Sequence, residues 1–280
     1  FVSEDTYENE LYLNDGSGTF ENVSARLPLT GTSNAVLAFD IDGDGDEDLL
    51  IGNKGQNRVA LNDGAGNFTD GTAGRLPMLD DITQDLELGD VDGDGDLDLL
   101  VGNEDRNRLL LNNGSGVFED ATEGRFPETE TQETREIDLA DVDGDGDLDI
   151  VCANVAWRPG AVPTDRLLLN DGEGVFEDVT NDRMPIEQPF TIDIDAADMD
   201  ADGDLDLLCA HVGGATPIRI RVNDGDGSFT PITPGRLPVF AQTAGIDVEA
   251  VDLDGDGYAE VYLANHSGRD RLLRAVNRGQ

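Results

Sequence analysis

Four short stretches of this chain place an acidic side chain at every second position, and a fifth departs from this at one position alone, a spacing suited to gripping a hard cation. The shared core reads D-x-D-x-D-G-x-x-[DE] and spans residues 40–48, 90–98, 141–149, 198–206 and 252–260. Calcium takes about six to eight oxygen ligands at about 2.3–2.6 Å in a forgiving geometry. Carboxylates at loop positions 1, 3 and 5 converge on one point if the chain curls, and the glycine at position 6 permits the curl. Position 7 offers its backbone carbonyl and position 9 closes the shell with a further carboxylate. The expected ligands are therefore Asp40, Asp42, Asp44, Asp46 and Asp48 in the first loop and Asp90, Asp92, Asp94, Asp96 and Asp98 in the second. The third offers Asp141, Asp143, Asp145, Asp147 and Asp149, and the fourth Asp198, Asp200, Asp202, Asp204 and Asp206. The fifth offers Asp252, Asp254, Asp256, Tyr258 (by carbonyl) and Glu260.

A solvated acidic turn would explain one such loop. It does not explain five copies with the same ligand positions, since four carboxylates this close repel one another unless a cation sits among them. The expectation is about five Ca²⁺, one per loop, with magnesium disfavoured by its demand for tight octahedral geometry. An EF-hand carries a bidentate Glu at position 12. Here that position is apolar (Ile51, Val101, Cys152, Cys209, Leu263), so the loop is EF-like but set between strands. Ala201 stands in the fourth loop where the others have a glycine, a change expected to matter little.

The loops recur at steps of 50, 51, 57 and 54 residues, so the elements that position them must recur too. A strand with period-2 alternation precedes each loop, as in Asp85-Leu86-Glu87-Leu88 (strand a). A short apolar run follows it, as in DLLIGN or DIVCAN (strand b). Strand c is RLLLN or its equivalent, and N-D-G-x-G turns into strand d, GVFED. Four antiparallel strands at a period near 50 are the unit of a β-propeller blade. The expected fold is all-β, a single β-propeller domain over residues 1–280, with residues 1–28 as the back half of a repeat.

The acidic core, the Gly-Asn or Ala-Asn after strand b, and the N-D-G-x-G-x-F turn resemble the FG-GAP/VCBS repeat family, whose repeats also build the propeller of integrin α subunits. The resemblance covers nearly the whole chain. It implies a calcium-bearing β-propeller, usually extracellular, serving adhesion or recognition. Family propellers commonly have seven blades, whereas five acidic loops are present here. A five-bladed ring closed by N-terminal strands is the first expectation; a six-bladed ring or a fragment of a longer propeller are the alternatives.

In such a blade the calcium loops share one face with the c–d turns, and the b–c loops lie on the other, where a protein or carbohydrate ligand is expected. The longest b–c loop, NVAWRPGAVPT, holds the single tryptophan, Trp157, beside Arg158. These two are the candidate ligand contacts; the plain alternative is a loop that folds its Trp onto a neighbouring blade. Strand a carries alternating acids (Asp85 and Glu87, Glu136 and Asp138, Asp193 and Asp195, Asp247 and Glu249). One Arg opens each strand c (Arg58, Arg108, Arg166, Arg219, Arg271) and another precedes each x-Pro (Arg26, Arg75, Arg125, Arg183, Arg236). These arginines are expected to pair with the strand-a acids in a structural ring. Cys152 and Cys209 read as small buried residues, and His211 and His266 lie too far from other soft ligands in sequence for zinc.

Composition narrows the partners. Lys+Arg is 18 against Asp+Glu 61, a formal charge of −43. Such a surface repels phosphate backbones and anionic membranes, so nucleic acid is not expected as a partner. No apolar run is long enough to insert in a membrane. No nucleophile elbow, phosphate loop or dinucleotide fingerprint is present. The expectation is thus a non-catalytic, extracellular, calcium-bearing recognition or adhesion module. A lectin using the b–c face is the alternative, and a polysaccharide-acting enzyme using the strand-a carboxylates the second alternative.

Overall fold

An apolar run without alternation, such as Asp48-Leu49-Leu50-Ile51-Gly52-Asn53, must be covered on both faces if it is a strand. The computed structural model, which describes residues 9–127, 132–185, 190–212, 217–232, 237, 244–266 and 268–274, shows how the chain does this. The described residues form six antiparallel sheets. The first is a hairpin of β1 (Tyr12–Asn14) and β2 (Phe20–Asn22). The second holds β3 (Ser33–Phe39), β4 (Asp48–Asn53), β5 (Arg58–Asn62) and β6 (Phe68–Asp70). The third holds β7 (Thr83–Gly89), β8 (Asp98–Asn103), β9 (Arg108–Asn112) and β10 (Phe118–Asp120). The fourth holds β11 (Thr134–Ala140), β12 (Asp149–Asn154), β13 (Arg166–Asn170) and β14 (Phe176–Asp178). The fifth holds β15 (Thr191–Ala197), β16 (Asp206–His211), β17 (Ile218–Asn223) and β18 (Phe229–Pro231). The sixth has three strands, β19 (Gly245–Val251), β20 (Glu260–Asn265) and β21 (Arg271–Leu273). Strand order follows chain order in every sheet, so each repeat is an a-b-c-d meander with the acidic loop between its first two strands. Among the described residues the partial N-terminal repeat supplies a c–d hairpin.

The chain divides into two compact units, residues 1–90 with 94–125 and residues 91–93 with 126–280. Within the first unit, adjacent residues of β4 go to different cores. Leu50 packs with Val59, Leu86, Leu99 and Phe118, whereas Leu49 and Ile51 pack with Leu11, Val23, Leu27 and Leu29 of the N-terminal segment. In the second unit, Leu207 and Cys209 of β16 face Val151, Leu167 and Ile194, and Leu208 and Ala210 face Val248, Val261 and Leu263. Both faces of strand b are thus buried, each such leucine contributing about 1.5–3 kcal/mol. In the sixth sheet the register is the same but one face is open. Tyr262 and Leu272 are 42% and 58% exposed, where their equivalents Leu50 and Val59 are at 0%.

Close approach of sheets explains the Gly-Asn that ends strand b. A Cβ on Gly52 would stand 2.7 Å from Cγ2 of Thr83 in the next sheet. That threonine in turn lies 3.0 Å from Asn57 Oδ1 and 3.1 Å from Asn103 Oδ1, tying the two sheets together with its hydroxyl.

Three of the strand-a acids meet backbone N–H groups of the following strand a. Glu136 accepts the N–H of Ile194 (3.2 Å), Asp193 that of Val248, and Asp195 that of Ala250 (2.6 Å). Strand a is the edge of its sheet, so half of its N–H groups have no ladder partner, and acids from the preceding strand a supply one. Three of the arginines that open strand c have described partners outside strand a. Arg58 reaches Asp70 (3.6 Å), Arg108 reaches Asp81 (2.9 Å) and Asp120 (3.3 Å), and Arg166 pairs with Asp178. Arg236 lies outside the described residues.

Candidate functional site

The acidic loops curl as their glycines allow, and the acid at position 1 holds the curl. Asp40 Oδ2 accepts the N–H of Gly45 (2.9 Å); Asp90 does so for Gly95 (3.0 Å), Asp141 for Gly146 (3.1 Å), Asp198 for Gly203 (3.1 Å) and Asp252 for Gly257 (2.9 Å). Position 5 receives the N–H of position 7, as Asp44 does from Asp46 and Asp256 from Tyr258 (both 3.0 Å). Position 9 links the loop to strand c. Asp149 accepts N–H groups from Val142 (3.0 Å) and Asn170 (2.9 Å), and Asp206 from Met199 (2.9 Å) and Asn223 (2.8 Å). Asp98 accepts from Asn112 (2.8 Å), and Glu260 from Leu253 (3.1 Å). Ala201 adopts φ 64°, alone among the described non-glycine residues in the left-handed region. It therefore carries a strain of about 1–2 kcal/mol, so its substitution for glycine is not neutral.

Carboxylate oxygens then converge. Asp40, Asp42 and Asp48 offer oxygens within 4.8 Å of one another, as do Asp141, Asp143 and Asp149, and Asp198, Asp200 and Asp206. In the second loop the group is Asp90, Asp92 and Asp94. Position 7 points elsewhere. The carboxylates of Asp46, Asp96, Asp147 and Asp204 stand over the c–d turn, 2.4–2.6 Å from where a Cβ would sit on Gly64, Gly114, Gly172 and Gly225. That leaves position 7 only its carbonyl to offer inward.

The donor set fits a divalent cation on two further observations. Asp90 Oδ1 and Asp143 Oδ1 are buried without a hydrogen-bond partner among the described residues. Burial, with Asp143 and Asp145 adding repulsion, pushes the Asp149 carboxyl up to about 6. Burial likewise raises Asp48, Asp143 and Asp206. Desolvation is the larger cause and the neighbouring loop carboxylates add to it, an environment whose cost a bound cation would offset. Two loops differ. Arg75 pairs with Asp42 through Oδ2 (3.3 Å). In the fifth loop Arg274 pairs with Asp254 and lies 3.9 Å from Glu260, so a guanidinium already stands beside those ligand positions.

The asparagine of N-D-G-x-G, read from sequence only as a turn former, clips the turn to the loop. Asn170 Nδ2 donates to Leu148 O (3.1 Å) and Val91 O (2.8 Å), while its Oδ1 accepts the N–H groups of Gly172 (3.2 Å) and Gly174 (3.1 Å). Asn223 repeats this with Leu205 and Val142.

Trp157 stands on the long loop and is 56% exposed. It is not folded under a neighbour. The guanidinium carbon of Arg135 lies 4.4 Å from its ring centroid. Glu133 Oε2 accepts the N–H groups of both Trp157 and Arg158 (2.8 Å each), and Glu133 Oε1 pairs with Arg135 (2.7 Å). Sequence gave no sign of Glu133 or Arg135, since neither belongs to a repeated motif.

A different cluster joins Asp165, Cys209 and His211, all buried, with ligand atoms within 4.8 Å of one another. The sequence reading missed it because Asp165 comes from another sheet. Its cation is built in: Arg221 Nη2 lies 2.7 Å from Asp165 Oδ2, which also accepts from Thr191 (2.8 Å), while Oδ1 accepts the N–H of Asn154 (3.1 Å). Both carboxylate oxygens are spent, so the group is a structural hub. Burial, helped by Arg221 and Arg219, holds the His211 pKa down to about 3, and burial pushes the Cys209 thiol up to about 12. A folded state that keeps His211 neutral is stabilised above the unfolded histidine pKa of about 6.5. That contribution is lost as pH falls towards 3, by up to about 1.4 kcal/mol per pH unit. Replacing His211 by Asn, the residue at this place in Asn53, Asn103 and Asn154, should flatten the stability curve between pH 6.5 and 5. Equal slopes for the two proteins in urea titrations would refute this.

Comparison with known proteins gives a consistent picture. The model of a family described as FG-GAP-like repeat matches residues 1–51, 40–101, 90–152 and 198–263. Among curated proteins, none matches the chain. Among solved structures, the chain is similar to an Agrocybe aegerita lectin described as specifically recognising non-reducing terminal N-acetylglucosamine. The identity is 21% and the TM-score 0.52, covering 93% of this chain and 72% of the lectin. It also aligns with a biofilm matrix protein of V. cholerae at 18% identity and TM-score 0.42, covering 81% of this chain and 33% of that one. At these identities the lectin likeness bears on the fold alone. No helix among the described residues is long and apolar enough to cross a membrane.

Proposed function

The chain belongs to the FG-GAP-like repeat family, and from that premise we propose that it is a calcium-stabilised β-propeller module serving non-catalytic recognition outside the cell. Its sheets are the blades, five by the count of acidic loops. Calcium pins the a–b turns, with Asp, Glu260 and backbone oxygens as hard donors. Loops one to four hold the ions most firmly, since Arg75 meets Asp42 alone in the first loop, whereas Arg274 stands beside both Asp254 and Glu260 of the fifth, which holds its ion more weakly. The observation that carries the metal reading is the repeated meeting of three carboxylates that include buried, unpartnered oxygens. Extracellular calcium suits loops of this kind, which in exported modules bind in about the 10⁻⁴–10⁻³ M range.

The metal is structural in this reading, because its loops tie strands b and c together. The strand-a acids Glu136, Asp193 and Asp195 serve backbone N–H groups, which supports a module without catalysis. Recognition falls to the b–c loops, and the exposed Trp157 favours a carbohydrate ligand over a protein one; the fold likeness to a lectin is in keeping with that. Metal analysis after dialysis against calcium tests the first part. Asp143→Ala should bind about one ion fewer per molecule than the parent chain. If the variant and parent hold equal calcium, the loops are not the sites.

A further inference from the structure

We infer that Trp157 is a stacking platform for one pyranose ring of a neutral saccharide, held in place by Glu133 and Arg135. The inference rests on the recognition reading above and names the ligand class and the residues that build the contact. Three observations lead to it. First, the ring is exposed yet fixed. Arg135 covers one face at 4.4 Å, and the backbone on both sides of the Trp157–Arg158 peptide is bonded to one carboxylate oxygen. A ligand that stacks on the other face need not order the loop, so little conformational entropy is lost on binding. Second, the anchor is costly to build. Glu133 is only 1% exposed, and a buried carboxylate is tolerated where it is paired and hydrogen-bonded. Here all of its described partners lie in the platform: two loop N–H groups and Arg135. A loop that merely closed a chain connection would not need a buried charge to hold it.

Third, the surroundings choose the ligand. A protein hot spot is an aromatic anchor set in a wider apolar patch that excludes water. Among the described residues of its loop, Trp157 is alone in being a large apolar side chain exposed to solvent. A solitary aromatic ring edged by polar groups suits a pyranose, which offers one face of C–H groups with hydroxyls around its rim. The Glu133–Arg135 pair adds no net charge of its own beside the ring, and the field of a chain carrying −43 repels an anionic sugar at long range but not a neutral one.

Trp157 is the single tryptophan, so its emission reports on this platform and nothing else. The intact, calcium-loaded chain is titrated with xylotriose, cellotriose and chitotriose, following emission and, in parallel, heat of binding. At least one sugar should produce a saturable shift of the emission maximum to shorter wavelength. Trp157→Ala should weaken that binding at least tenfold by calorimetry while leaving the melting temperature unchanged. Glu133→Gln should weaken it several-fold and move the emission of the free protein to longer wavelength, as the loop loosens. If none of the three sugars changes emission or gives heat, the platform is overturned. If heat is seen but Trp157→Ala binds equally well, the platform is overturned while the recognition reading stands on another surface.

Discussion

Stripping calcium with a chelator should lower the melting temperature by more than about 20 °C. An ion that binds only the folded state stabilises it by about 2.7 kcal/mol per site when free calcium exceeds the dissociation constant a hundredfold, which for sites of about 10⁻⁴ M means starting from about 10 mM free calcium. Four strong loops then contribute about 11 kcal/mol, comparable with the whole stability of an ordinary domain. For a chain of this size each kcal/mol moves the midpoint by about 2–4 °C. The metal-free chain has reason to be weak. Its carboxylates remain packed in threes, and Asp149, pushed up to about 6, shows how strongly its surroundings oppose the ionised form. Calorimetry with and without chelator, followed by calcium add-back, measures the effect. A midpoint that ignores the chelator would remove calcium from the structural role given to it here.

The second large effect concerns the ion pair Asp165–Arg221, buried between the fourth and fifth sheets, with Arg221 only 2% exposed. Asp165→Asn should cost about 3–5 kcal/mol, because it leaves a buried guanidinium without its counter-charge. Arg221→Leu should cost less, since burial already raises the Asp165 pKa and the acid can take up a proton once the arginine is gone. The other repeats say what the double variant will do. Where the fourth sheet has Asp165, the preceding two have Asn57 and Asn107, and these accept the same N–H at the end of strand b, at 2.9 Å each. Where the fifth sheet has Arg221, the third and fourth have Leu110 and Leu168, each buried in the same register against strand b. Asp165→Asn with Arg221→Leu should therefore recover to within about 1 kcal/mol of the parent, as replacement of a buried pair by apolar packing commonly does. A double-mutant cycle in urea measures the coupling. Additive losses, with no recovery in the double variant, would show that the two charges are not held for each other.

Much of this was legible in the sequence, and the reason is locality. The acidic core, the apolar strand b and the N-D-G turn are each written within about a dozen residues, so their spacing alone indicates a curl, a twice-covered strand and a hairpin. The repeat of 50 to 57 residues then multiplies one reading into five. Even within these motifs some assignments needed coordinates. Positions 46, 96, 147 and 204 turn their carboxylates to the neighbouring turn, and the asparagine after strand c proves to be a clip.

What could not be read is whatever one sheet does for another. Asp195 meets the N–H of Ala250 across 55 positions of sequence and Arg221 meets Asp165 across 56; within one repeat, Glu133 holds Trp157 across 24. The first two separations are about one repeat, so the repeat brings the sheets together, but which residues meet depends on how twisted sheets stack and which edge N–H groups are left without a ladder. The sequence by itself determined the repeat, its strands and the carboxylate loops, because those follow from local spacing and hydrophobic pattern. Only the tertiary structure decided which charges are buried together and which aromatic ring stays in water, because desolvation and pairing are properties of surfaces brought into contact, not of neighbours along the chain.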